Sequence, residues 1–180
     1  DRPSAERRYD VARLIEEFGP RDFSVHERSE RVPGDDALAA YPKMFILGKP
    51  GAGKTTFLKH TALQAINHEI KKVPIFVSLK ELSDSGKKIV PFIAHQFAVH
   101  RFLNPQPFVE DLLKDGKALV LFDGLDEVNL AGNQRATMIR WLNDFVYQYG
   151  DCPMVITCRV AATDYSFTQF DYVEMADFEM

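Results

Sequence analysis

Short runs of apolar residues recur along the chain and carry its strongest structural signal. The first has no polar alternation, and the third and fourth are almost unbroken, as expected for strands that are buried on both faces of a sheet. Turn-forming residues or charged clusters bound each run. The pattern predicts five strands, over residues 44–47, 73–79, 118–122, 154–158 and, at the periphery, 172–175.

Between these runs, apolar residues recur at helical spacing among polar ones. This periodicity predicts helices over residues 5–18, 55–70, 89–103, 108–113 and 129–149. Strands that alternate with helices are typical of an α/β domain, and 180 residues suffice for one domain with a sizeable core. Residues 21–36 are polar and charged without periodicity, which favours a surface linker over a lid beside a bound base.

Composition and charge exclude several classes of function. The formal net charge is −4, and no basic block is interleaved with aromatic residues, so we expect no direct nucleic-acid partner. No apolar run approaches the length of a membrane span, and no signal-peptide core is present. Cys152 and Cys158 lack the spacing of a metal site and are predicted to be reduced, buried thiols. We therefore expect a cytoplasmic protein that binds neither membrane nor nucleic acid.

The first predicted strand leads directly into a glycine-rich turn and a helix. Residues 48–55 satisfy the pattern Gly-x-x-x-x-Gly-Lys-Thr, in which glycines let backbone N–H groups surround an anion at a helix N-terminus. Lys54 would reach the β and γ phosphates, and the Thr55 hydroxyl would bind Mg²⁺. A plain glycine-rich turn is the alternative, but the strand before it and the helix after it favour phosphate binding. The predicted binding residues are Gly48, Lys49, Pro50, Gly51, Ala52, Gly53, Lys54, Thr55 and Thr56.

A second group of polar residues follows the third and fourth strands. Asp123, Asp126 and Glu127 come at the end of the buried run 118–122, where a parallel sheet presents ligand-binding groups. Asp123 is thereby predicted to lie near the Mg²⁺ of the phosphate loop. An acidic surface turn is the alternative for these three residues. Arg159 follows the fourth strand and either senses a γ-phosphate or pairs with a surface carboxylate.

Over about residues 43 to 177 the sequence resembles a NACHT domain, a branch of the STAND class of P-loop NTPases related to AAA+ proteins. The resemblance is carried by Gly-Lys-Pro-Gly-Ala-Gly-Lys-Thr-Thr, Pro-Ile-Phe-Val-Ser-Leu, Leu-Val-Leu-Phe-Asp-Gly-Leu-Asp-Glu and Val-Ile-Thr-Cys-Arg. The most specific element is the small residue directly after Asp123, followed by the acidic pair Asp126 and Glu127. On this basis residues 1–42 are a helix and lead-in linker, and residues 43–180 are the nucleotide-binding domain.

The resemblance implies a three-layer P-loop NTPase fold, with helices on both faces of a five-stranded parallel sheet of order 5-1-4-3-2. It implies that Thr55 and Asp123 hold Mg²⁺, that Asp126 or Glu127 activates water, and that Arg159 is the sensor of the γ-phosphate. Neither carboxylate is preferred as the base by the sequence alone, although glutamate has the longer reach.

Family members are nucleotide switches, and this implies a function for the chain. ADP holds a closed state, ATP opens it, and opened protomers assemble through their nucleotide-binding domains in innate immunity, cell death or defence against phage. A chain that stops at Met180 lacks the helical and winged-helix subdomains, and we expect it to be a piece of a longer protein. Such a piece is expected to bind ATP or ADP weakly and to hydrolyse ATP very slowly.

Three other functions compete with the switch. The first is a scaffold or oligomerisation module that retains nucleotide without significant turnover. The second is a small-molecule phosphotransferase, which is disfavoured because no arginine-rich acceptor lid is evident. The third is a variant that accepts GTP, although the Asn-Lys-x-Asp element that reads guanine is missing, so adenine is favoured.

Overall fold

A computed structural model of the chain describes residues 34–67, 70–128, 134–159 and 167–175. The chain divides after Val32, and every described residue belongs to the second unit, Pro33–Met180. The helix predicted over residues 5–18 and most of the predicted linker therefore lie outside the described residues.

Five parallel strands form one sheet, as the sequence predicts. They are β1 (Lys43–Leu47), β2 (Val73–Ser78), β3 (Ala118–Asp123), β4 (Met154–Cys158) and β5 (Asp171–Glu174). Their order in the sheet is β2-β3-β4-β1-β5, which is the expected 5-1-4-3-2 order read from the other edge. Pro74 lies in the edge strand β2, where its missing N–H costs no ladder hydrogen bond on the open side.

Helices connect these strands. They are α1 (Gly34–Ala40), α2 (Lys54–Ile66), α3 (Leu79–Ser85), α4 (Ile89–Val99), α5 (Pro105–Lys114) and α6 (Gln134–Gln148), with a 3₁₀ turn at Leu125–Glu127. The helix predicted over residues 89–103 ends at Val99, because Arg101 and Asn104 adopt positive φ angles of 63° and 50°. The helix predicted over 129–149 is described only from Gln134 to Gln148.

Two helices are not among the predicted elements. Helix α1 begins inside the predicted linker, and α3 begins at Leu79, which was assigned to the second strand. Ser78 causes the change from strand to helix, since its hydroxyl oxygen accepts a hydrogen bond from the Glu81 N–H at 3.3 Å. Leu79 is then buried as a helical residue, together with Leu82.

The apolar core lies on both faces of the sheet, because alternate residues of each strand point to opposite sides. On one face Phe45, Val120, Phe122 and Ile156 pack in a cluster with buried residues of α3, α4, α5 and α6. On the other face a smaller cluster joins the strands to α1 and α2, and comprises Ala37, Leu38, Met44, Ile46, Leu58, Ala65, Leu119, Leu121 and Val155. The three-layer arrangement explains why β3 is buried from Ala118 to Phe122.

The parallel topology decides where the functional residues meet. Strands β1, β3 and β4 all run in the same direction, so the residues that follow Leu47, Phe122 and Cys158 lie at one edge of the sheet. Among the described residues, no helix has the length and apolar character needed to cross a membrane.

Candidate functional site

The phosphate-loop residues connect β1 to α2. The loop passes so close to neighbouring segments that a side chain at Gly48 would be tightly packed. A Cβ atom at Gly48 would lie 3.2 Å from the Cβ atoms of both Ala52 and Met175. The Met175 N–H also donates to the Leu47 carbonyl at 2.8 Å, which fixes the segment after β5 against the start of the loop. Close packing therefore favours glycine at position 48.

Lys54 is the first residue of α2, and its side chain folds back over the loop. The ammonium group donates to the Gly48 carbonyl at 2.7 Å and to the Lys49 carbonyl at 3.0 Å. The positive charge is thus held within the loop, where an anion would be bound.

Asp123 at the end of β3 contacts the start of α2. The Thr55 hydroxyl donates to Asp123 Oδ2 at 2.8 Å, across 68 residues of sequence. The structure thus brings together the two side chains that the sequence assigned to Mg²⁺. A hydroxyl and a carboxylate supply two hard oxygen atoms, which fits Mg²⁺ because this ion commonly takes only one or two protein ligands and completes its octahedron with phosphates and waters. Within the described ranges, no group of three or more His, Cys, Asp or Glu side chains could hold a metal ion by itself.

Thr157 contacts the same carboxylate and was missed by the sequence analysis. Its hydroxyl donates to Asp123 Oδ1 at 2.7 Å and accepts from the Gly124 N–H at 2.9 Å. Thr157 is completely buried in β4. The available signal was a threonine inside an otherwise apolar strand, because a buried hydroxyl needs hydrogen-bond partners.

Asp126 and Arg159 form a two-point contact between the 3₁₀ turn and the end of β4. The Arg159 N–H donates to Asp126 Oδ1 at 2.9 Å, and the Arg159 Nε lies 2.9 Å from Asp126 Oδ2. The Asp126 side chain is 12% exposed, while that of Arg159 is 51% exposed. Of the two alternatives for Arg159, pairing with a carboxylate is therefore observed, although the partner belongs to the site itself.

Glu127 has a different environment from Asp126. It is exposed, and its carboxylate makes no hydrogen bond or ion pair with any residue in the described part of the chain. Its side chain lies over Gly124, since a Cβ atom there would be 3.2 Å from Glu127 Cδ and 3.4 Å from Oε2. Gly124 has φ 78°, so glycine suits this position for its backbone as well as for its size.

Cys158 is buried next to these charged groups, and its thiol is poorly reactive. Burial, together with a smaller contribution from the neighbouring negative charge of Asp126, raises the pKa of its thiol from 9.0 to about 11. Burial also raises the pKa of Cys152. Neither cysteine is in a disulfide, and both are buried, as predicted. A thiol that keeps its proton at neutral pH is a poor nucleophile and a poor metal ligand.

All predicted site residues of the loop, the acidic turn and Arg159 thus lie at the carboxyl edge of the sheet. Residues 48–53 form the loop, Lys54, Thr55 and Thr56 begin α2, and Asp123, Asp126 and Glu127 follow β3. Arg159 follows β4, the strand between β3 and β1. The arrangement presents the Lys54 ammonium group, the Thr55 hydroxyl and several carboxylate oxygens around a single loop, a combination suited to a phosphate ester with Mg²⁺.

The sequence model of the NACHT domain matches residues 43–180. No curated protein matches the chain.

Among solved structures, the chain is similar to Caenorhabditis elegans PCH-2, with 16% identity, a TM-score of 0.44, and coverage of 76% of this chain and 36% of that one. It is similar to AMPPCP-bound DnaA from Aquifex aeolicus, with 15% identity, a TM-score of 0.47, and coverage of 79% and 44%. A DNA replication initiation factor gives 14% identity, a TM-score of 0.47, and coverage of 79% and 43%. The chain thus spans less than half the length of these three structures.

The family match covers most of the chain, and it includes the phosphate loop, the acidic turn and Arg159. The observed order of the parallel strands is that of a P-loop NTPase. The chain belongs to the NACHT domain family, a nucleotide-binding branch of the STAND class of P-loop NTPases.

Proposed function

We propose that the domain is a Mg²⁺-dependent ATP/ADP switch with slow ATP hydrolysis, which controls oligomerisation and signalling of a longer cytoplasmic protein. Innate immunity, cell death and defence against phage are the proposed settings. The observation that carries the proposal is the 2.8 Å contact between Thr55 and Asp123, beside the Lys54 ammonium group. It supports a site in which phosphates and Mg²⁺ are bound together.

The proposed roles follow from the chemistry of each side chain. Lys54 exchanges its two carbonyl partners for β and γ phosphate oxygens, and backbone N–H groups of residues 48–56 bind the same phosphates. Thr55 and Asp123 hold Mg²⁺, which when bound neutralises phosphate charge. The loop and the end of β3 thereby bind the nucleotide in one orientation.

Glu127 is the proposed general base, and the contacts of Asp126 support this choice. Both Asp126 oxygens already accept bonds from Arg159, so this carboxylate has little capacity left for a water molecule. Glu127 is exposed and free of such contacts among the described residues, and a positioned carboxylate can take a proton from attacking water. The sequence left both residues open, and the geometry favours Glu127.

Arg159 is the proposed γ-phosphate sensor. Its guanidinium group is half exposed and paired with Asp126, so an incoming γ-phosphate would compete with that carboxylate. ADP has no γ-phosphate and would leave the pair intact. The difference gives ATP and ADP unequal affinity for two arrangements of the domain, as a switch requires.

Calorimetric titration of ADP, ATP and GTP in the presence of Mg²⁺ tests the binding proposal. We expect adenine-selective binding, and about 10- to 100-fold lower affinity for Lys54→Ala, because hydrogen bonds to a charged group contribute about 1.5 to 3 kcal/mol. Unchanged affinity in Lys54→Ala would contradict the proposed loop function.

Phosphate release by Glu127→Gln and Asp126→Asn tests the assignment of the base. Loss of a general base lowers the rate by about 10²- to 10⁴-fold, so Glu127→Gln should abolish measurable release while nucleotide affinity stays unchanged. Asp126→Asn should instead lower thermal stability, since it weakens both contacts with Arg159.

A nucleotide-retaining scaffold without significant turnover is the second candidate function. The pairing of Asp126 with Arg159 favours it, because the charge of the proposed γ-phosphate sensor is then already neutralised by a carboxylate. If the wild-type chain and Glu127→Gln release phosphate at the same rate, the scaffold replaces the switch.

A further inference from the structure

One buried hydroxyl group connects the side chain of Asp123 with the backbone of the next residue, Gly124. Thr157 carries the one hydroxyl group in strand Met154–Cys158, and it is completely buried. Its oxygen lies 2.7 Å from Asp123 Oδ1 and 2.9 Å from the Gly124 nitrogen. Thr157 lies in the segment Val-Ile-Thr-Cys-Arg but is not among the predicted site residues.

The direction of both hydrogen bonds is fixed by chemistry. A backbone N–H can only donate, so Thr157 must accept from Gly124. The hydroxyl proton is then directed to Asp123 Oδ1, because an ionised carboxylate can only accept. The resulting chain runs from the Gly124 N–H through the Thr157 hydroxyl to Asp123 Oδ1.

The two carboxylate oxygens of Asp123 therefore have different hydrogen-bond partners. Oδ1 is held by Thr157 on β4, and Oδ2 faces Thr55 at the start of α2. Rotation of the carboxylate would break both contacts. The rotation of Asp123, and with it the oxygen presented beside Thr55, is thus set by a residue of the neighbouring strand.

We propose that Thr157 is a positioning residue for Mg²⁺ binding, which acts by holding Asp123 Oδ1 so that Oδ2 stays beside Thr55. The inference rests on the proposed function, since it assigns Mg²⁺ to Thr55 and Asp123. Residues that hydrogen-bond a metal-binding carboxylate orient it, and their loss typically lowers metal affinity by about 10- to 100-fold.

Thr157→Val tests the inference, because valine keeps the shape of threonine and lacks the hydroxyl. The measurement is the free Mg²⁺ concentration that gives half of the Mg²⁺-dependent gain in binding of a fluorescent ADP analogue. We expect this concentration to rise about 10-fold or more, and ADP binding in excess EDTA to stay within about twofold of wild type.

Two further variants separate positioning from packing. Thr157→Ser keeps the hydroxyl and should restore a wild-type Mg²⁺ requirement. Thr61→Val is the matched control, because Thr61 is also buried and its hydroxyl donates to the Phe57 carbonyl within α2, at 2.9 Å. It should leave the Mg²⁺ requirement unchanged.

Each outcome decides the question. An unchanged Mg²⁺ requirement in folded Thr157→Val overturns the inference. A raised Mg²⁺ requirement in Thr157→Ser also overturns it, and this second result is used if Thr157→Val does not fold. A wild-type chain that binds no ADP analogue with Mg²⁺ overturns the proposed function, and the inference with it. If wild-type binding responds to Mg²⁺ and Thr157→Val has the same Mg²⁺ requirement as wild type, the inference alone is overturned.

Discussion

Replacement of Gly124 by alanine should reduce hydrolysis more than folding or binding. Gly124 has φ 78°, in the left-handed region, and a Cβ atom there would lie 3.2 to 3.4 Å from three atoms of the Glu127 side chain. Because the Glu127 side chain is flexible and exposed, it would move away from the added methyl group. The proposed general base would then be displaced while Asp123 and the loop keep their places.

The size of the effect on stability follows from the backbone. An alanine in the left-handed region costs about 1 to 2 kcal/mol, which corresponds to a decrease in Tm of about 2 to 8 °C for a chain of this length. Gly86→Ala is the control for this cost. Gly86 has φ 64°, and a Cβ atom there would have no neighbour within 4 Å.

Single-turnover phosphate release distinguishes the two variants. We expect Gly86→Ala to match the wild-type rate and Gly124→Ala to be slower by about tenfold or more, since a positioned base contributes about 10²- to 10⁴-fold. Gly124→Ala should have no further effect in a Glu127→Gln background, because both act through the same carboxylate. Equal rates for Gly124→Ala and Gly86→Ala would refute the reasoning.

Two further predictions concern stability. Burial raises the pKa of Cys158 from 9.0 to about 11, so the contribution of the protonated thiol is complete below about pH 9 and is lost as the pH rises towards about 11. The free energy of unfolding in urea should therefore decrease less between about pH 8 and about pH 10.5 for Cys158→Ala than for wild type. Equal decreases for the two proteins would contradict this. Phe167 is 1% exposed and stacks on Phe45, with the two ring centroids 5.4 Å apart. Phe167→Ala should therefore lower the free energy of unfolding by about 3 to 5 kcal/mol in the same assay. Phe102→Ala, at a position 41% exposed, should cost clearly less, and an equal loss would contradict the assigned burial.

Most of the sheet could be predicted because buried parallel strands have simple patterns. Strand β4 matches its predicted bounds, β1 begins one residue earlier than predicted, and β5 both begins and ends one residue earlier. Helix α3 was missed because Leu79 continues the apolar run of β2. The signal against a longer strand was present, since Ser78 and Glu81 have the spacing of a helix-capping pair.

The site was predicted less completely than the sheet, for a geometric reason. The loop residues are contiguous, so their pattern can be read directly. The contacts Thr157–Asp123 and Arg159–Asp126 instead join residues that are 34 and 33 positions apart. Such pairs depend on how the ends of β3 and β4 align, and residue spacing alone does not determine this alignment.

The position of the Lys54 ammonium group has a consequence for how lysine variants are interpreted. By bonding two carbonyl oxygens of its own loop, Lys54 contributes to the shape of the loop before any nucleotide arrives. Affinity lost in Lys54→Ala therefore combines a missing phosphate contact with a less ordered loop. Lys54→Arg, which keeps the charge and the donors, would retain loop order but misplace the charge, so the difference between the two variants measures preorganisation of the empty loop.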